Sequence, residues 1–164
     1  MFTATHLHAM IVHFPIALVL VGFLFETIGF ISKKDFFHKV SFYILILAAA
    51  GAIVSYLTGH SAGEGMEGGS LGTAIEAHEE AALITLWLTI AAAVVRFIIE
   101  FWKKSLTWLK ITAFILLLGA VAGVARTGYL GGQLVFRHAA GVELGFGNAA
   151  VSNQESDENN HDND

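Results

Sequence analysis

Leu7-His8-Ala9-Met10-Ile11-Val12-His13-Phe14-Pro15-Ile16-Ala17-Leu18 opens the first long apolar segment of the chain and carries two histidines into it. An ionisable side chain at membrane depth is costly and needs a partner. The rest of the sequence is read here as the set of candidates for that partner.

The 164-residue chain is 55% hydrophobic, with only 14% charged residues and a mean hydropathy of +0.64. A soluble domain carries far more charge. The apolar residues fall into four long runs, each long enough to cross a bilayer. The expected fold class is all-α, an integral membrane four-helix bundle formed by residues 1–147. Its helices are expected at about 10–31, 40–57, 75–101 and 106–126, with an extension along the membrane interface after the fourth. Residues 148–164 are rich in Asn, Asp, Glu and Ser and are expected to be a disordered acidic tail. The first run is too long for the core of a cleavable signal peptide, and no A-x-A-like site follows it, so it is read as a retained helix. With no cysteine, the chain offers no disulfide, no c-type haem attachment and no thiolate-held iron–sulfur cluster. No basic patch suggests nucleic acid.

Pro15 falls near the expected start of the first helix, where a missing N–H is tolerated. The Ala48–Ala52 patch and Gly119-x-x-x-Gly123 suit close helix packing. All six lysines, Lys33, Lys34, Lys39, Lys103, Lys104 and Lys110, fall around the connections 1–2 and 3–4. The positive-inside rule makes those connections cytoplasmic and puts both termini on the outer side. The expected location is therefore a bacterial inner membrane, with the outer side periplasmic.

That topology collects the histidines. His6, His8 and His13 lie at the outer end of the first helix, His60 after the second, His78 at the start of the third and His138 after the fourth. Helix bundles build haem and metal sites from inward side chains in this way. His8 and His13 are five apart, roughly 140° around a helix, so they do not share a face if both are helical. His13 and His78 are the deeper pair and the first candidates. His8 and His138 are alternative ligands or a second pair. Arg126 and Arg137, at the same end, are candidate clamps for haem propionates or an anionic head group. Histidine is also tolerated at interfaces without any ligand, and these arginines can simply meet lipid phosphate. Glu26 and Arg96 lie near the cytoplasmic ends of opposite-running helices and can pair, as a structural contact; Glu100 is a second partner for Arg96.

Four motifs give the chain a resemblance. They are Leu7-His8 with Val12-His13-Phe14-Pro15-Ile16-Ala17-Leu18; Thr58-Gly59-x-x-Ala62-Gly63-Glu64; His78-Glu79-Glu80; and Gly131-Gly132-Gln133-Leu134-Val135-Phe136-Arg137-His138. They resemble a bacterial four-helix membrane domain of unknown function, sometimes fused to Rieske iron–sulfur or cytochrome c domains. The resemblance covers about Leu7–Gly145 and implies an electron-transfer setting. Ala9, Phe136 and Ala139 depart from the family, where proline, tyrosine and glycine are usual. The histidines stay in place.

Three functions follow as expectations. The first is a membrane-bound b-type cytochrome or redox-complex subunit with one or two haems b near the outer face. It would exchange electrons with a periplasmic cytochrome, a Rieske protein or quinone. The second is a non-haem site in which His8, His13, His78 and His138 bind Zn, Cu or Fe. The third is a structural anchor for a redox complex. No nucleophile–base pair marks a stand-alone enzyme; an electron-transfer subunit is the better description.

Overall fold

The computed structural model describes residues 3–64, 69–102 and 106–140; the expected acidic tail lies outside them. Five helices follow in order: α1 (Ala4–Ile11), α2 (His13–Ser32), α3 (Asp35–Gly63), α4 (Gly69–Trp102) and α5 (Thr107–His138). α1 and α2 together form one span of 29 residues, and α3, α4 and α5 supply the other three. The protein is thus an all-helical bundle with four helices long and apolar enough to cross a membrane. α2 packs on α3 and α4 on α5, and contacts of α3 with α4 and of α2 with α5 close the square. With four crossings, α1 and the end of α5 lie at the same end of the bundle.

The core is made of small and branched side chains: Val19, Leu45, Ala48, Ala92, Ala93, Leu117 and Ala120 are all buried. Lipid supplies no hydrophobic drive between helices, so close backbone approach must hold them. Gly119 and Gly123 of α5 accordingly sit against Leu88 and Thr85 of α4. Large apolar side chains such as Leu24, Leu47, Trp87 and Ile115 point outward, as a lipid-facing surface requires.

The first helix begins earlier than its hydropathy suggested. Thr3 caps it by accepting the His6 N–H, and the chain is helical from Ala4. The break falls at Val12. Pro15 cannot donate to the carbonyl of Ile11, four residues back, and its ring crowds that carbonyl. The interruption separates α1 from α2, and α1 packs on α3.

α3 and α5 likewise run beyond their expected ends at Leu57 and Arg126, to Gly63 and His138. Glycines 59, 63, 128, 131 and 132 read as helix-weakening, yet tertiary packing overrides propensity here. Instead of lying along the interface, the chain after residue 126 continues α5. At ~1.5 Å per residue the 34 residues of α4 span about 51 Å, against a hydrocarbon core of about 30 Å. The turn between α2 and α3 is only Lys33 and Lys34 long. At the opposite end of the bundle α1, the end of α3, the start of α4 and the end of α5 form a polar layer that carries the histidines.

Candidate functional site

Two half-sites occupy this layer, and they are built alike. His8 of α1 sets its Nδ1 2.9 Å from the carbonyl oxygen of Ser55 on α3. His78 of α4 sets its Nδ1 3.1 Å from the carbonyl oxygen of Thr127 on α5. A carbonyl only accepts, so each imidazole donates from Nδ1–H, and a neutral ring then carries its lone pair on Nε2. No hydrogen bond to either Nε2 is found among the described residues. The side-chain hydroxyl of Thr58 lies 3.4 Å from His8 Nδ1 and donates into the α3 backbone.

The acceptor carbonyl lies four residues before a glycine in both cases: Ser55 before Gly59, Thr127 before Gly131. A helical carbonyl at i points at the N–H of i+4, so a side chain at i+4 flanks it. Glycine removes that flank and lets an imidazole from the neighbouring helix reach the carbonyl. A Cβ on Gly59 would stand 2.8 Å from His8 Cε1, and one on Gly131 would stand 3.1 Å from His78 Cε1. Each glycine is therefore the back wall of one imidazole. His8 thus docks α1 on α3, and His78 docks α4 on α5.

Further support surrounds His78. Thr127 Oγ1 lies 3.1 Å from Thr85 Oγ1, and Thr85 in turn donates to the Ala81 carbonyl. Glu79, the next residue, is held on the other side by α3. Its Oε2 is 3.5 Å from His60 Nδ1, and its Oε1 occupies the space a Cβ on Gly63 would take. The motif Thr58-Gly59-x-x-Ala62-Gly63 is thus a pair of cradles, one for His8 and one for Glu79.

The other candidates stand differently. His13 is exposed, and its Nδ1 lies 2.8 Å from the carbonyl of Ala9 in the preceding turn. His138 is the last residue of α5 and half-buried, while Arg126 and Arg137 are exposed on the same helix. Phe136, where the resembled family has tyrosine, is 91% exposed, so a hydroxyl there would face away from the bundle. Ala139, where that family has glycine, takes a left-handed φ of 50° and closes α5 with bonds from its own N–H to the Val135 carbonyl and from the Ala140 N–H to the Leu134 carbonyl. Glycine suits that position because it has no Cβ to strain. Among the described residues, no three His, Asp or Glu side chains cluster as a direct metal site would need.

Sequence reasoning had paired His13 with His78 and kept His8 in reserve. In the structure His8 reaches a neighbouring helix, as His78 does, while His13 bonds back to its own helix turn. Ser55, Thr127 and the two glycines went unrecognised; the signal was the repeated carbonyl-to-glycine spacing of four. At the lysine end, Glu26 and Arg96 do pair, with Oε1 and Nη1 3.3 Å apart. His38 completes that group, its Nδ1 3.0 Å from Glu26 Oε1.

These features define an all-helical membrane protein with a histidine-bearing polar layer at one end. The chain matches, over residues 4–144, the family described as "Predicted membrane protein (DUF2231)", and it belongs to that family. Comparison with curated proteins and with solved structures gives no match.

Proposed function

We propose that the protein is a membrane-bound b-type cytochrome, or the haem-carrying subunit of a redox complex, in which His8 and His78 would hold the haem. The single observation that carries this reading is the matched geometry of the two imidazoles. Each is anchored through Nδ1 on a backbone carbonyl and backed by a glycine. A ligating histidine generally donates its other N–H to a carbonyl or carboxylate, which fixes its tautomer and raises its basicity. Two such rings from two hairpins suit a ligand that needs two imidazoles more than one that needs three or four protein ligands.

The donor set fits haem. When bound, the iron would take up and release one electron. The chain's own residues hold and aim the ligands: the Ser55 and Thr127 carbonyls set the ring planes, and Gly59 and Gly131 leave room behind them. Arg126 and Arg137 are the cations available at this end of α5 for propionates. The lysine distribution supports an outward-facing histidine layer and an inner-membrane location. An electron partner would then be a periplasmic cytochrome, a Rieske protein or quinone.

The test is to purify the chain in detergent from haem-replete cells and record a reduced-minus-oxidised visible spectrum with metal analysis. Haem bands lost in His8→Ala and in His78→Ala, but kept in His13→Ala, are expected. Stoichiometric Zn, Cu or Fe without haem bands would replace haem by a directly bound metal. Neither haem nor metal in a folded preparation would leave a structural anchor.

A further inference from the structure

The bundle holds a second polar group, far from the histidine layer and unused by it. Glu26 of α2 is fully buried, Arg96 of α4 is 2% exposed and His38 of α3 is 9% exposed. Glu26 Oε1 lies 3.0 Å from His38 Nδ1 and 3.3 Å from Arg96 Nη1. Arg96 also donates from Nη2 to the His38 carbonyl at 2.7 Å. Gly29 makes the room: a Cβ there would stand 2.8 Å from His38 Nδ1 and Cε1. Phe30 meets the ring edge-on.

The contacts of Glu26 with His38 and Arg96 are close but not aligned as hydrogen bonds. Both Glu26 oxygens, His38 Nδ1, and Arg96 Nε and Nη1 are buried without a hydrogen-bond partner among the described residues. Such unsatisfied groups inside a membrane are expensive and, by default, functional. The Glu26 carboxylate is a buried acceptor in want of a proton or a water.

Three carboxylates act on Arg96: Glu26 of α2, Glu100 of α4 and Asp35 of α3. Lys39 on α3 and Lys33 and Lys34 in the turn are exposed, and α5 brings Lys110 to this end. Neutralising Glu26 therefore does not strand the guanidinium, because Glu100 and Asp35 remain.

His38 supplies the route. Its Nδ1 is buried against Glu26, while the side chain keeps 11% exposure. The ring thus joins the buried carboxylate to the lysine-bearing face.

We propose that Glu26, His38 and Arg96 form a proton-binding site filled from the lysine-bearing face, with His38 as the relay. A proton from water adds to His38 Nε2. The Nδ1 proton passes to Glu26 Oε1, leaving a neutral imidazole and a neutral carboxylic acid. No electrons move, and the site gains one unit of positive charge. Arg96 then shifts its pairing toward Glu100, one turn along α4.

The test is pH-jump infrared spectroscopy on the full chain in lipid nanodiscs, with 13C-carboxyl glutamate to identify the band. A carboxylic-acid C=O band is expected on acidification, moved by the label and missing in Glu26→Gln. In His38→Gln the band should form more slowly by about a hundredfold. If Glu26→Gln does not fold, Glu26→Asp replaces it, and the labelled band should lose its glutamate shift. Absence of any such band across the pH range in which the protein stays folded would overturn the proposal and leave a permanent ion pair. A band with an unchanged rate in His38→Gln would overturn the relay.

Discussion

The glycine walls can be tested by adding one methyl group at a time. A Cβ on Gly59 would lie 2.8 Å from His8 Cε1 and 3.0 Å from Nδ1. Ordinary carbon contacts begin near 3.5 Å, so Gly59→Ala must push the ring about 0.7 Å. A shift of that size stretches the 2.9 Å bond to Ser55 beyond hydrogen-bonding range. Overpacking costs about 1–3 kcal/mol and the lost bond about 1 kcal/mol. Replacing a helical glycine returns about 1 kcal/mol. The net is a destabilisation of about 1–3 kcal/mol. At Gly131 the same methyl meets His78 Cε1 at 3.1 Å, and a smaller displacement suffices. At Gly132 it meets nothing within 4 Å, so Gly132→Ala should stabilise by up to about 1 kcal/mol. Thermal unfolding in detergent should therefore rank Gly132→Ala above wild type, Gly131→Ala below Gly132→Ala, and Gly59→Ala lowest. The visible spectrum should weaken in the same order as the unfolding temperature. Gly59→Ala that unfolds as high as Gly132→Ala, with an unchanged spectrum, would refute the cradle.

Other outcomes follow from the same geometry. Ala139→Gly relieves a left-handed alanine at the end of α5 and should stabilise by about 1 kcal/mol, read by thermal unfolding. Replacing Arg96 alone by Met leaves buried Glu26 with only His38 beside it, and should cost up to about 3–5 kcal/mol; the double replacement of Glu26 and Arg96 by Met should recover most of that in a double-mutant cycle. The chain has no cysteine to remove, so single cysteines report topology directly. Glu76→Cys should react with an impermeant maleimide in intact spheroplasts, and Lys34→Cys only after lysis. The reverse pattern would invert the orientation taken from the lysines.

Much of the architecture was legible because bilayer physics leaves few solutions. Four apolar runs must be helices, since each backbone polar group has to be satisfied within its own segment. The Glu26–Arg96 pair was legible for a similar reason: two opposite charges at one depth of a membrane bundle have few other partners. The helix ends were not. Gly59, Gly63 and Gly131 look like chain breaks until the side chains filling their missing Cβ positions, His8, Glu79 and His78, are placed on neighbouring helices. Pro15 was read as a helix start, whereas the turn of helix before it carries the histidine that reaches α3. The contact of His8 with Ser55 was not legible either, because it depends on packing between segments nearly fifty residues apart.

The most direct measurement of the central claim is electron paramagnetic resonance of the oxidised, purified protein, on wild type and on His8→Ala and His78→Ala. The account predicts one low-spin ferric haem with two imidazole ligands in the wild type, and loss of that signal in either variant. A low-spin signal that survives His78→Ala, or moves only with His13→Ala, would contradict the pairing of His8 with His78.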